Sequence, residues 1–358
     1  MQLHIQPYTI HKRFPLTISR GTSSQSTNLW VRLEQDGIEG WGEASPFSTG
    51  SQPQTTEVLQ TALQQIVPTL APYHPWEQQK ITSVLAEQNL PSAAWAAIDV
   101  ALHDWMGKAV GQPLWKLWGL DRDRISPISV TIGINSPEAA AARTQAWLNF
   151  IDVQVLKVKL GSPVGIAADQ AMFRAVKSVA PDDAVFYVDA NGGWNLSDAL
   201  TMAEWLAAEG VQYLEQPLAP AEVKVMPQLY RRSPLPIFVD ESCFTSSDIP
   251  KLAPWIHGIN IKLMKSGGLA EAMRMVNIAQ ACDLQIMLGC YSNSALANTA
   301  AAHLSPLANY VDLDSHLNLL DDPFQGAEIQ NGCLIPKAEP GLGVTRAMPH
   351  RLEKLRNG

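Results

Sequence analysis

The sequence predicts an α/β protein: a closed (β/α) barrel over residues 126–323, preceded by a mixed α+β region over 1–125. Three observations carry this. The chain has 358 residues, enough for a large barrel with an addition. From residue 126 short β-type runs alternate with longer helical runs, giving eight strand candidates, and no Gly-x-Gly-x-x-Gly follows any of them to mark an open dinucleotide-binding sheet. Three carboxylates each stand just past a β-type run: Asp189 after 185–188, Glu215 after 211–214 and Asp240 after 237–239. Their spacings, 215 − 189 = 26 and 240 − 215 = 25, match one strand, one helix and two loops, which sets the three at one height on neighbouring parallel strands.

Taken in order, residues 29–33 read as a strand, and Gln35-Asp36-Gly37 as a hairpin turn before a second strand at 38–41. Residues 55–66 have helical periodicity. Residues 92–108 form a stronger helix, with Ala94, Ile98, Ala101, Leu102 and Trp105 at spacings of three and four, Pro91 before it and Gly111 after it. The barrel units begin with strands at 128–132 and 153–160, followed by helices at 137–150 and up to 179. Further units start at Val185, Val211, Ile237, Ile259, Leu284 and Tyr310. Asn195-Leu196-Ser197 reads as a helix cap rather than a glycosylation triplet. The last strand–helix unit looks incomplete, and the Gly- and Pro-rich tail, 324–358, is expected to return to the first domain.

Composition narrows the function. A net charge of −8, a pI near 5.5 and the lack of any basic run argue against nucleic acid as a partner. Mean hydropathy is −0.04, and no apolar run of about 18 residues predicts a membrane span. No signal peptide is read at the start, and the cysteines Cys243, Cys282, Cys290 and Cys333 lack C-x-x-C spacing. These features fit free thiols in a reducing, cytoplasmic compartment. The oligomeric state is not fixed, and a homo-oligomer is allowed.

The trio Asp189, Glu215 and Asp240 offers three oxygen ligands at the carboxyl edge of a parallel sheet, a site for a hard dication, Mg²⁺. Lysines flank it. Lys157 and Lys159 share one strand face, either as a solvated edge or inside the barrel, where they need counter-charge. A cationic neighbour should lower the pKa of one of them and free it as a base. Lys262 follows the next strand, one unit beyond Asp240, and would face the metal from the side opposite Lys159. Lys265 starts the following turn. Asn191 and Glu241 stand beside the ligands as candidates for supporting hydrogen bonds. Asp312 and Asp314, at spacing two past the eighth strand, could grip an ammonium group or cap a helix.

Together Lys157-Val158-Lys159, Val188-Asp189-Ala190-Asn191, Leu214-Glu215-Gln216-Pro217, Val239-Asp240-Glu241-Ser242 and Asn260-Ile261-Lys262 resemble the enolase superfamily, in its muconate-lactonizing subgroup. Residues 97–108 with Gly111-Gln112-Pro113-Leu114 look like the end of that family's N-terminal capping domain. The resemblance covers nearly the whole chain. It implies a capping domain closing over a modified TIM-type barrel, Mg²⁺ on Asp189, Glu215 and Asp240, and Lys159 and Lys262 as two acid/base residues, with Lys157 tuning Lys159 and holding a substrate carboxylate.

Residues 262–268 and Asp312-Leu313-Asp314 resemble the dipeptide epimerases, in which the two aspartates hold the dipeptide's ammonium. The resemblance therefore implies inversion of the C-terminal residue of a dipeptide by proton transfer through an enolate. o-Succinylbenzoate synthase or N-acylamino acid racemase chemistry is the alternative at the same site. Ile18-Ser19-Arg20-Gly21 resembles the start of the loop that touches the epimerised side chain, which places Arg20 and Ser23 against substrate. Thr22, Ser23 and Ser24 stand where glutamate-preferring members would carry an arginine.

Overall fold

The computed structural model describes residues 1–50 and 53–347. The chain opens with an antiparallel sheet of three strands, β1 (Gln2–Ile18), β2 (Gly21–Gln35) and β3 (Ile38–Ala44). Asp36 and Gly37 take φ of 54° and 74°, the left-handed pair a two-residue hairpin needs, so the expected turn lies where it was read. The long β1 was not expected, because its apolar positions change parity between Ile5 and Tyr8 and blur the alternation.

Three helices back this sheet: α1 (Thr56–Leu70), capped by the Thr55 side chain, α2 (Gln78–Glu87) and α3 (Ser92–Ala109). The sequence reading missed α2. Helix α3 lies flat on β3 because Gly40 and Gly42 have no side chains. A Cβ at either would stand 2.1 or 1.9 Å from the carbonyl oxygens of Ala101 and Ala97.

Eight parallel strands follow in a single sheet: β4 (Ser129–Ile132), β5 (Val155–Lys159), β6 (Val185–Asp189), β7 (Leu214–Glu215), β8 (Ile237–Val239), β9 (Gly258–Ile261), β10 (Gln285–Gly289) and β11 (Tyr310–Asp312). A bridge between Ile128 and Val311 joins the two edges, so the sheet nearly closes. Helices cover the outside, among them Pro137–Phe150 and Leu196–Ala208, the second capped by Asn195. After β11 only a 3₁₀ turn, Ser315–Asn318, follows, where the other units have longer helical segments. The tail runs back over the first region: Leu342 N donates to Asp104 Oδ1 at 2.8 Å. Residues 348–358 of that tail lie outside the described residues. Among the described residues no helix is long and apolar enough to cross a membrane.

The register sets the geometry. From Lys159 the paired ladder runs to Asp189, Glu215, Phe238, Gly258 and Gln285. Carried on by the offsets of the last three pairs, it passes Ala308 and Ile125 and returns to the start at Ile151. The displacement, 159 − 151 = 8, is the shear of an eight-stranded (β/α) barrel. Staying level around the axis therefore means climbing about one residue per strand. The expectation of one height for all three carboxylates is therefore corrected for Glu215, which falls one layer below Asp189 and Asp240. Asp189 and Glu215 are register partners, but the partner of Glu215 on β8 is Phe238, and Asp240 lies two residues further on.

Candidate active site

Shear and alternation sort the barrel interior into layers of side chains drawn from alternate strands. The two lowest carry Val155, Tyr213 and Tyr310, then Tyr187, Phe238 and Met287, a small apolar cluster. Tyr213 lies 4.6 Å from Tyr187 and 4.7 Å from Phe238, ring to ring. Gly258 makes room for this floor, since a Cβ there would stand 2.1 Å from the Phe238 ring. The floor keeps water out from below, so each charge above it must find a protein partner.

The third layer comes from β5, β7, β9 and β11: Lys157, Glu215, Asn260 and Asp312. The contacts follow the layer. Lys157 Nζ lies 2.5 Å from Glu215 Oε2 and 2.5 Å from Asp312 Oδ2. Asn260 donates to Glu215 Oε1 at 2.6 Å, and Ser129 donates to Asp312 Oδ1 at 2.9 Å. Burial alone would lower the pKa of Lys157, but Asp312 and Glu215 outweigh it and hold the ammonium well above its usual range. Burial and the nearby Asp189 push the Glu215 carboxyl up to about 7.

One layer higher, from the intervening strands, stand Thr131, Asp189, Asp240 and Gly289. Asp189 Oδ2 accepts from Lys159 at 2.6 Å, while Asp240 accepts from Lys262 at 2.8 Å and Lys265 at 2.7 Å. Fully buried Lys265 also donates to the carbonyl oxygens of Asp240 and Asn260, at 2.6 and 2.9 Å. Despite burial, Lys262 and Lys265 hold the Asp240 carboxyl far below the usual carboxylate range. Gly289 contributes no side chain because one would strike Asn260.

The top layer holds Lys159, Lys262 and Asp314, and all three line a cavity of about 360 Å³ between the barrel mouth and the N-terminal domain. Lys159 on β5 and Lys262 at the end of β9 are four strands apart in the eight-stranded sheet, half a turn, at one level. The same cavity meets Arg20, Ser23 and Asn191. The ion pairs of Lys157, Glu215 and Asp240 lie beneath it.

Several expectations change. The lowered lysine expected of the 157/159 pair is not Lys157: burial acts in that direction, but facing carboxylates raise it, as they also raise Lys262. The acidic trio is divided among the lysines. Asp189 and Glu215 share Lys157, at 4.0 and 2.5 Å, whereas Asp240 turns to Lys262 and Lys265. Among the described residues no three acidic, imidazole or thiol groups are gathered as a finished metal cage.

The donors nevertheless fit a hard dication. Buried Asn191 Oδ1 and Glu241 Oε2 accept no hydrogen bond, and Glu215 Oε2 has Lys157 close by but out of hydrogen-bond alignment. Six cations (Lys12, Arg20, Lys157, Lys159, Lys262, Lys265) face six anions (Asp189, Glu215, Asp240, Glu241, Asp312, Asp314).

The remaining predicted residues divide. Arg20 reaches across to the barrel and pairs with Glu241 at 2.7 Å while donating to the Asn191 carbonyl at 2.9 Å. Asn191 sits at φ 44° and donates through its side chain to Asp189 and Glu241, so backbone strain is spent on fixing this corner. Ser23 accepts from Lys12 at the cavity wall. Asp312 and Asp314 are unequal. Both oxygens of Asp312 are engaged by Ser129 and Lys157, whereas Asp314 accepts from Thr131 N at 2.7 Å and its carboxyl is pushed up to about 6 by burial and by Asp312. Sequence reasoning missed Lys12, Thr49 and Tyr291 in the cavity and Asn260 beneath it. Tyr291 stands two residues past β10, so the strand-end logic that found Asp240 would have found it too.

Comparison with known proteins gives a consistent answer. Residues 2–119 match the family model of the mandelate racemase / muconate lactonizing enzyme N-terminal domain, and residues 138–348 match the enolase C-terminal domain-like model. A hydrophobic dipeptide epimerase of Flavobacteria bacterium (strain MS024-2A) is 42% identical over 345 residues, covering 96% of this chain and 98% of its own. One from Roseobacter litoralis is also 42% identical, over 347 residues, with the same coverage of both chains. The crystal structure of a dipeptide epimerase from Cytophaga hutchinsonii, complexed with Mg and D-Ala-L-Val, superimposes with a TM-score of 0.91 at 25% identity. It covers 98% of this chain and 96% of its own. By both of its domain models and by its relatives, this chain belongs to the enolase superfamily.

Proposed function

We propose that the protein is a Mg²⁺-dependent dipeptide epimerase, an isomerase that inverts the α-carbon of the C-terminal residue by proton transfer between two lysines. One observation carries this: Lys159 and Lys262 face a single cavity from opposite sides of the barrel at one level. The relatives named as hydrophobic dipeptide epimerases support the substrate class.

Asp189, Glu215 and Asp240 would hold the Mg²⁺, which would supply positive charge beside the substrate carboxylate. One lysine, as the neutral amine, takes that proton and becomes an ammonium. The lysine on the opposite face gives a proton to the same carbon, and configuration inverts. Lys157 tunes Lys159 and adds positive charge near the substrate carboxylate. Asp314 receives the dipeptide's ammonium, and Asp312 supports it by holding Lys157. Lys265, Asn191 and Glu241 fix the carboxylates, while Arg20 and Ser23 border the substrate side chain.

A second reading, N-acylamino acid racemase or o-succinylbenzoate synthase chemistry at the same lysines, draws support from the full engagement of Asp312. The test is a dipeptide library in D₂O, read by mass spectrometry. Uptake of one deuterium at the C-terminal α-carbon is expected. Uptake by N-acylamino acids but by no dipeptide favours the second reading, and uptake by neither class refutes the two-lysine mechanism.

A further inference from the structure

The mechanism gives no part to the aromatic residues that line the cavity, Phe47, Trp147 and Tyr291. Tyr291 lies past the end of β10, and its ring carries Lys262: Nζ is 4.7 Å from the ring centroid. An ammonium against the face of a shielded ring is attracted by the ring quadrupole. The contact also limits where the flexible four-carbon stem of Lys262 can place its nitrogen.

The ring is itself held from the N-terminal domain. Tyr291 stacks on Phe47, with centroids 4.6 Å apart and planes 3° from parallel. Its phenol and the Thr49 hydroxyl lie 2.6 Å apart, in a hydrogen bond either can donate. The far side is pinned as well. Tyr291 N donates to Asn293 Oδ1 at 2.9 Å, and Ser294 N donates at 3.0 Å to Glu43, a buried carboxylate of β3. No ring carries Lys159 in the same way among the described residues. The two lysines are thus supported differently: Lys159 by the barrel carboxylates alone, Lys262 also by an aromatic plate seated on the other domain.

We propose that Tyr291 is a positioning residue for Lys262, and that Phe47 and Thr49 set it in place when the N-terminal domain is seated on the barrel. The inference rests on the epimerase reading given above. It predicts an asymmetry. Loss of the plate should weaken proton transfer through Lys262 and spare transfer through Lys159.

The test compares Tyr291→Leu, Tyr291→Phe and Thr49→Val with wild type, as purified full-length enzymes with Mg²⁺. Each epimer of one active dipeptide is the substrate in D₂O, and deuterium in recovered substrate is counted separately from inversion. For Tyr291→Leu, epimerisation should fall roughly tenfold. One epimer, whose proton faces Lys159, should keep near wild-type exchange without inversion, and the other should lose exchange and inversion together. Tyr291→Phe keeps the ring and should retain most of the activity. Thr49→Val should show the same small loss as Tyr291→Phe, and the double variant should lose no more than either, since both remove one hydrogen bond.

Equal losses of exchange for both epimers in Tyr291→Leu, or no loss, overturn the proposal. If Tyr291→Leu does not fold, additive effects of Thr49→Val and Tyr291→Phe overturn it instead. If wild type exchanges no dipeptide α-proton, the epimerase reading has failed, a result distinct from a symmetric loss.

Discussion

Replacing Lys265 by methionine tests the electrostatics beneath the cavity. The Lys265 ammonium is fully buried and makes three contacts, to Asp240 Oδ1, to the Asp240 carbonyl oxygen and to the Asn260 carbonyl oxygen. Methionine keeps the apolar stem but removes all three donors. Breaking a buried ion pair costs about 3–5 kcal/mol. Lys262 still faces Asp240 at 2.8 Å, so part of the charge stays compensated, and a loss of about 3 kcal/mol at pH 7 is expected. The pH dependence has a definite sign. The folded Asp240 pKa is depressed, so its contribution is fully present above the unfolded value, about 4, and is lost as pH falls through the folded one. The unfolded value is common to both proteins, so the gap between them is set by the two folded values: it should stay level through about pH 4 and narrow only as pH falls through the variant's own folded value, which Lys262 still depresses. Urea midpoints of both proteins, measured in EDTA at pH 7 and pH 3, give the answer. A deficit under about 1 kcal/mol at pH 7, or one that widens in acid, would refute this account of how Asp240 is held.

Other expectations follow from the same geometry. Asp314→Asn should lower kcat/KM for dipeptides by about 10-fold or more and leave any N-acylated substrate unaffected, because a charge-assisted hydrogen bond to the amino group is lost. As the Asp314 carboxyl sits at about 6 and an ammonium needs its ionised form, KM for a free dipeptide should fall as pH rises through that value. Lys159→Ala and Lys262→Ala should each abolish epimerisation, measured by polarimetry, and full activity in either would contradict the two-lysine assignment. Chelation should remove activity and added Mg²⁺ restore it in a single cycle. Arg20→Ala removes the charged partner of Glu241 and leaves it only the Asn191 side-chain amide. Arg20 is over a third exposed, so only about 1 kcal/mol of stability should be lost in thermal melts, with a larger rise in KM.

The periodic features of the barrel were legible in the chain itself. Strand and helix alternate there at about one unit per 25 residues, and the acidic residues repeat with the same period because each occupies the same place in its unit. Alternation placed Lys157 and Lys159 on one face, since successive strand side chains point to opposite sides. The hairpin at Asp36-Gly37 and the cap at Asn195 were readable because both are local backbone chemistry. Strand β1 and helix α2 escaped, one for lack of clean alternation and the other for weak apolar content.

What the sequence determined by itself was therefore the kind of fold, the lysines and carboxylates, and the strand ends on which they stand. The tertiary structure decided which of them meet. The eight-residue shear is a property of the closed sheet and is written in no single segment. It lifts Lys262 to the level of Lys159, drops Glu215 beside Lys157, and sets Asp312, with both oxygens engaged, one layer below Asp314, although both aspartates line the cavity. It equally decided that Tyr291 lies under Lys262 and against Phe47, because packing between two domains depends on contacts some 240 residues apart, 291 − 47 = 244, that no local pattern encodes.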